Sequence, residues 1–352
     1  VSAAPGRAPR HLQLRLGRGL SARLAVRTLV VCGALLVVAL GLLLAALVLG
    51  ERVVPPAEVL EALTGRASRV VELFVVTWRL PRALAALAVG ALLGASGSIF
   101  QTLTRNPLGS PDIIGFTTGA HTGGLVMILL VSSSYVAVTS GAVVGGLLTA
   151  LVVLALARRG RTQGFRLIIV GIAVTSMLAS VDIWLILTAD LDLAILASTW
   201  GVGSLNGVAW TYVGPSLALG AVALLVAVPL ARPLAQLDLG DDSAQSLGAR
   251  PEATRLLAIL VGVVMVAIAT AVAGPVAVIA LAAPQIGRRL ASSQGTPMAP
   301  AACTGAVLLL GADLIAQHAI PGTVLPVDVV TVSIGGLYLL SLIVQENRKG
   351  TL

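Results

Sequence analysis

The 352-residue chain is 57% hydrophobic and 11% charged, with a mean hydropathy of +1.00, whereas soluble domains carry about 25% charged residues. That composition excludes a water-soluble globular enzyme and describes a polytopic membrane protein. The formal charge of +8 comes from 23 basic residues, of which only Lys349 is lysine, so no Gly-Lys-Ser/Thr phosphate loop exists and any ATP must be hydrolysed by another chain.

A membrane helix needs about 20 apolar residues. Apolar runs between charges and Pro/Gly punctuation predict ten, at 28–50, 80–103, 113–131, 136–157, 167–187, 212–230, 255–273, 276–290, 300–318 and 327–345. The first run is too long for a secretory signal and lacks a small-x-small cleavage site, so it reads as a retained helix. It follows a basic cytoplasmic tail, residues 1–27; residues 28–352 form one transmembrane domain with no soluble insertion. The eighth run is short and opens at Gly274-Pro275, the mark of a broken or tilted element whose freed backbone groups need protein partners. Small residues four apart, Gly90 with Gly94, Gly119 with Gly123 and Gly141 with Gly145, are candidate packing surfaces.

Positive residues collect in cytoplasmic loops. With the N-terminus inside, 18 of the 23 basic residues fall on the cytoplasmic side, and Arg52, Arg66, Arg69, Arg79 and Arg82 share one outer segment between the first two helices. An even helix count returns the C-terminus to the cytoplasm. His11, His121, His318, Cys32 and Cys303 lie far apart in sequence, with no ligand spacing for zinc, haem or an iron–sulfur cluster. No metal site, cofactor or nucleic-acid partner is expected for this chain, and the thiols read as inert packing residues.

Several features carry open readings. Arg79 and Arg82, three apart around Pro81 at a helix start, share a face of the first turn and point to the outer surface; they are docking charges for an acidic partner or snorkel to lipid phosphate. Asn106-Pro107-Leu108-Gly109-Ser110-Pro111-Asp112 is a tight cytoplasmic turn, with Asp112 placed to cap the third helix; it is a gate or simply a turn. Intramembrane acids are costly, so Asp182 and Asp313 either hold a coupling ion, as in a secondary transporter, or are buried hydrogen-bond partners. Between Ala231 and Thr254, charges surround Leu237, Leu239, Ala244 and Leu247; Asp241 and Asp242 start a short amphipathic helix and Gly248 ends it. That segment is a docking knob for a soluble partner or a solvated connector. Gly94-Ala95-Ser96-Gly97, with His318 in a later span, resembles the GxSG motif of rhomboid proteases, a reading that requires Ser–His contact.

Ordered motifs along nearly the whole chain carry a more specific resemblance: RLPR (Arg79 to Arg82), GASGSIFQTLTRNPLGSPDIIG (Gly94 to Gly115), FRLIIVGIA (Phe165 to Ala173), LGDDSAQSLG (Leu239 to Gly248), AGPVAVIALAAPQIGRR (Ala273 to Arg289) and LPVDVVTVSIGG (Leu325 to Gly336). The chain resembles the FecCD-type permeases of ABC importers for ferric siderophores, haem and vitamin B12. TRNPLGSPDIIGF, WGVGSLNG and IVQENRK are most similar to permease subunits of the ferric-enterobactin type, which work beside a second, non-identical permease.

The resemblance implies an all-α, type II importer bundle of about ten transmembrane helices in the bacterial cytoplasmic membrane, with residues 28–352 as the permease domain. It further implies a second permease subunit in a heterodimer, two ATPase subunits that carry ATP and Mg, an extracytoplasmic solute-binding protein or lipoprotein, and import of a ferric siderophore by alternating access. A haem or corrinoid chelate is the alternative within the family. Arg79 and Arg82 match residues that dock the binding protein. Asn106 and Leu108 match one cytoplasmic gate loop, and Gln163 and Gly164 fall at the other. Leu237, Leu239, Gly240, Asp241, Asp242, Ala244, Leu247 and Gly248 match the helix that couples to the ATPase. Compared with the vitamin B12 permeases, Gln317 replaces a docking Arg, Gly164 a gate hydroxyl residue, and Pro284-Gln285 a Pro-His pair. The change at Gln317 favours a heterodimer whose partner supplies the missing charge.

Overall fold

The computed structural model describes residues 11–15, 21–50, 52–157, 163–293, 298–320 and 322–348. Arg7, Arg10, Arg18, Arg158, Arg159, Arg161 and Lys349, on which part of the charge-based topology rests, lie outside the described residues. In the N-terminal segment, strands β1 (His11–Arg15) and β2 (Ser21–Ala25) pair antiparallel, with His11 opposite Ala25. Helix α1 (Val26–Val48) follows directly.

The second helix differs from expectation. After α2 (Pro56–Leu63), the chain turns into α3 (Arg69–Glu72), a π turn (Leu73–Arg79) and α4 (Leu80–Thr104), which form one apolar span, Arg69–Thr104. Pro81 therefore lies inside a continuous helix, not at its start. Proline lacks an N–H and its ring crowds the carbonyl four residues back. The widened turn just before it, in which the Leu80 N–H reaches Val75 O, lets the helix pass that defect.

The third helix is also broken where a single run was expected. Helix α5 (Pro111–Ile114) and α6 (Phe116–Leu130) are separated by Gly115 at φ 89°, a backbone conformation suited to glycine. Ser110, in extended conformation, accepts from the Ile113 N–H at 3.3 Å and caps α5. Asp112 is already inside the turn, and its Oδ1 accepts from the Thr117 hydroxyl at 2.6 Å. The cap is thus Ser110 and not Asp112.

Helices α7 (Tyr135–Ala157) and α8 (Gln163–Thr188) come next, followed by the unpredicted α9 (Leu191–Gly201) and by α10 (Trp210–Ala227). A 3₁₀ turn (Val228–Leu230), α11 (Ala231–Leu237) and α12 (Asp241–Ser246) lead to α13 (Pro251–Ala273), α14 (Ile279–Ala291), α15 (Met298–His318) and α16 (Val327–Arg348). All ten predicted spans have a helical counterpart. Among the described residues, seven helices are long and apolar enough to cross a membrane, and α6, α9 and part of α16 are shorter apolar helices.

Helix α14 is the expected broken element. The backbone before it reverses at Gly274 (φ 68°) and Val278 (φ 70°). Groups freed there find partners across the fold: the Ala277 N–H donates to Asp328 Oδ1 at 2.7 Å, and Ala273 O accepts from Ser204 N at 2.8 Å.

Small residues decide what sits at the centre. A methyl group at Gly90 or Gly94 would overlap the backbone of Gly305 or Ala301, so α4 and α15 touch through their main chains. Gly119, Gly123, Gly141 and Gly145 bring α6 and α7 together in the same way. Within their apolar windows α4 is 78% buried and α13 72%, against 11% for α1. Helices α4 and α13 are therefore the axle of the bundle, and α1 is an outer strut on α15. Cys32 and Cys303, remote in sequence, come near each other where α1 packs on α15.

Candidate functional site

At the end of the bundle that carries α12, three segments meet. Helix α4 stops because Arg105 takes the left-handed conformation (φ 50°, ψ 34°). Its N–H returns to Thr102 O and that of Asn106 to Gln101 O, both at 3.2 Å, which satisfies the last helical carbonyls. Asn106 then folds the loop on itself: its Oδ1 accepts from Leu108 N and its carbonyl from Gly109 N, each at 2.9 Å. Leu108 is left half exposed at the tip. Helix α14 holds this loop through Gln285 Nε2, which donates to Pro107 O at 2.7 Å, and is tied to the end of α4 by Gln101 Nε2, which donates to Leu281 O at 2.9 Å.

The α12 segment packs beside that loop. Leu234, Leu237 and Ala244 are buried, while Leu239 is 65% and Leu247 57% exposed, so the segment is anchored through Ala244 and offers a leucine in the turn on either side of the short helix. Gly240 (φ 106°) and Gly248 (φ 86°) make the turns into and out of it. Asp241 and Asp242 occupy its first turn, as the sequence predicts.

Asp241 Oδ1 receives Arg255 Nη2 of α13 at 2.6 Å and Arg105 Nη2 at 3.0 Å; the same Arg105 nitrogen donates to Leu237 O at 2.8 Å. The hydrogen bond from Arg255, reinforced by both guanidinium charges, holds the Asp241 carboxyl below its ordinary pKa. Asp238 moves the other way, because burial outweighs the attraction of Arg105 and Arg288. A polar cavity of about 250 Å³, lined in part by Ser98, Asn106, Pro107, Asp238 and Arg288, separates α4 and its loop from α14 and the α12 segment. Arg105 is not singled out by sequence, and Gln285 is noted there only as a departure from the vitamin B12 permeases. The 136-residue separation of Arg105 from Asp241 left only the opposite charges of two loop segments as a signal.

At the opposite end, Arg79 and Arg82 turn inward instead of standing free on the surface. Arg79 donates to the carbonyls of Leu47 (2.8 Å), Val48 (3.2 Å) and Arg52 (2.6 Å), and so fastens α1 to the π turn. Its partners are neutral, which leaves its charge uncompensated by these bonds. Arg82 is bidentate to Asp313 of α15, with Nε 3.0 Å from Oδ2 and Nη2 2.8 Å from Oδ1. Gln317 Nε2 also donates to Asp313, at 2.8 Å. The Asp313 side chain is 1% exposed and that of Arg82 16%, a nearly dry ion pair in which Asp313 is a buried hydrogen-bond partner.

Asp182 is also hydrogen-bonded inside the bundle, but its Oδ1 and the Nε2 of its partner His121 are buried without a hydrogen-bond partner among the described residues. Its Oδ2 lies 2.9 Å from His121 Nδ1, and the imidazole stacks on Trp200 with ring centroids 5.1 Å apart, which ties α6, α8 and α9 together. Ser96 is fully buried and donates to Gly262 O at 3.0 Å, whereas His318 Nδ1 sits 2.8 Å from Leu314 O; each group of the protease reading is engaged elsewhere. Among the described residues no three His, Cys, Asp or Glu side chains form a group able to hold a metal. Gln163 and Gly164 open α8, and their side-chain surroundings lie outside the described residues.

The sequence matches the FecCD transport family over residues 35–345. It is 47% identical over 292 residues to the ferric enterobactin transport system permease protein FepG of Escherichia coli (strain K12), covering 83% of this chain and 88% of the relative. It is 34% identical over 332 residues to the ferric enterobactin transport system permease protein FepD of the same organism, covering 92% and 97%. The fold superposes on an inward-facing metal-chelate type ABC transporter with a TM-score of 0.79, at 23% identity, covering 90% of this chain and 99% of that one. The motifs, the helix order and these matches lead to one conclusion: the chain belongs to the FecCD transport family.

Proposed function

We propose that this chain is one of two permease subunits of an ATP-driven importer that passes a ferric siderophore across the bacterial cytoplasmic membrane by alternating access, with both termini cytoplasmic and residues 1–27 as a basic tail. The observation that carries the reading is α12. It is a six-residue helix, pinned by Asp241 and Ala244 and flanked by the exposed Leu239 and Leu247, on a chain without a phosphate loop. Closure of a partner ATPase pair, which binds the ATP and Mg, would press on that knob and bias the bundle between two states. Leu237, Leu239, Gly240, Asp241, Asp242, Ala244, Leu247 and Gly248 form the coupling unit. Asn106 and Leu108, with Gln163 and Gly164, form the cytoplasmic gate.

Arg79 and Arg82 meet the acidic surface of an extracytoplasmic solute-binding protein. Arg79 carries the larger share, since Asp313 already neutralises Arg82. A ferric siderophore as cargo, over a haem or corrinoid, is supported by 47% identity to a relative named for ferric enterobactin. A heterodimer is supported by the lower identity, 34%, to the second permease named for the same chelate.

The test is mass spectrometry of what co-purifies with the tagged chain, extracted gently from its native membrane. An ATPase, a different permease and a solute-binding lipoprotein are expected together. Repeated recovery of the chain alone, in lipid nanodiscs, would overturn the proposal.

A further inference from the structure

We propose that Arg105 is a positioning residue that transmits movement of α12 to the gate loop and, through that loop, to α14. The inference rests on the coupling role proposed for α12 and names the part of this chain that carries the coupling inward.

Three observations converge on Arg105. It takes a left-handed backbone conformation (φ 50°) that glycine adopts far more readily, so the position is filled by a residue with a side chain where the backbone favours none. That side chain places a single nitrogen on both Leu237 O and Asp241 Oδ1, the last residue of α11 and the first of α12. The main chain of Arg105 runs directly into Asn106 and Pro107, and Pro107 O is held by Gln285 of α14. A continuous series of contacts therefore leads from α12 to Arg105, to the Asn106–Pro107 turn and on to α14.

The surroundings suit movement. The Arg105 and Asp241 side chains are 49% and 44% exposed, and ion pairs so open to water add little to stability; such a contact breaks and re-forms readily. The adjoining cavity of about 250 Å³ gives the loop space on the side facing Asp238 and Arg288. Asp241 Oδ1 is shared with Arg255, the residue that ties α12 to the largely buried α13. Displacement of α12 against α13 is thus registered at the Arg105 contact. A chain of contacts becomes a coupling route only when both ends respond to its removal, and that is measurable here.

The experiment uses the assembled importer, with its binding protein, in proteoliposomes, and reads ATP hydrolysed per ferric chelate delivered. Arg105→Gly keeps the backbone conformation and removes the strut; Arg105→Lys keeps one charged donor. Arg105→Gly is expected to bind the ATPase in normal amount and to raise the ATP cost per chelate about tenfold, with Arg105→Lys in between. Combining Arg105→Gly with Asp241→Asn should add less than the two separate effects together, because both remove one contact. An unchanged ratio in Arg105→Gly, whether transport stays normal or falls in step with hydrolysis, would overturn the transmission role. Failure of the unmodified chain to bind any ATPase would instead overturn the coupling reading on which it rests.

Discussion

Both ends of the bundle place arginines against carboxylates, and the two arrangements differ in water. At the α2 end, Arg82 and Asp313 form a bidentate pair whose carboxylate is 1% exposed, braced by Gln317. At the α12 end, Arg105 and Arg255 converge on an Asp241 that is 44% exposed. A dry pair fixes two helices, because removing either member strands a charge. A wet pair costs little to open, because water replaces each bond. The α2 end thus holds α4 against α15 through a dry pair, whereas the ion pairs at the α12 end are open to water, as the movement proposed for α12 requires.

The largest effect expected from this contrast is on stability. Asp313→Ala leaves Arg82 unpaired and should cost about 3–5 kcal/mol, read as a lower midpoint in thermal unfolding of the purified chain in detergent. The double variant Arg82→Met with Asp313→Leu should recover most of that loss. Asp241→Asn should change the same midpoint by an amount corresponding to less than about 1 kcal/mol. Equal losses at the two ends would erase the distinction.

Next in size are the contacts between chains. Leu239→Asp combined with Leu247→Asp removes the apolar knob of α12 and should reduce ATPase capture in pull-downs by about tenfold or more, since a few buried apolar anchors dominate most interfaces. Arg79→Glu should weaken binding-protein docking by about tenfold at low salt, and less at high salt where the charge is screened. Arg79→Gln should fall between. Docking affinity unchanged at low salt in Arg79→Glu would leave Arg79 only its role in fastening α1 to the π turn.

How much of this was legible in the sequence depended on the range of the interactions. Helix existence depends on local apolar runs, and each of the ten predicted runs coincides with a helix, although only seven described helices are long and apolar enough to cross a membrane and the short α9 is not anticipated. The pairs Gly90 with Gly94, Gly119 with Gly123 and Gly141 with Gly145 are recognisable as packing residues because their spacing of four is local, though their partners are not. The start of the second helix was misread at Pro81, since nothing in sequence announces that a π turn will absorb a proline. Asp112 reads as a cap because aspartate is a good capping residue, but serine is too, and the extended backbone of Ser110 makes that residue the cap. The α12 segment was readable from Asp241, Gly240 and Gly248. Its ties to Arg105 and Arg255, like the Arg82–Asp313 pair separated by 231 residues and the Cys32–Cys303 contact, join residues that no spacing rule connects.

The smallest expected effect is a pH response that sharpens the α12 side of the comparison. Arg255 and Arg105 hold Asp241 below the ordinary carboxylate pKa, so its contribution is complete above that ordinary value, about 3.9, and disappears only as pH falls through the depressed one. Burial raises Asp238, so its ionised form opposes folding, and the penalty is relieved as pH falls through its raised pKa. The Asp241 contact should therefore contribute in full to ATPase capture between about pH 6 and pH 8, and Asp238→Asn should stabilise the chain slightly at neutral pH.

The most direct measurement of the central claim is uptake of radio-iron-labelled ferric siderophore into proteoliposomes holding this chain, its partner permease, the ATPase and the binding protein. The account predicts uptake that requires ATP inside the vesicle, survives Asp182→Asn and is abolished when Leu239 and Leu247 are both changed to Asp. Uptake that proceeds without ATP under a proton gradient, and is lost in Asp182→Asn, would contradict it.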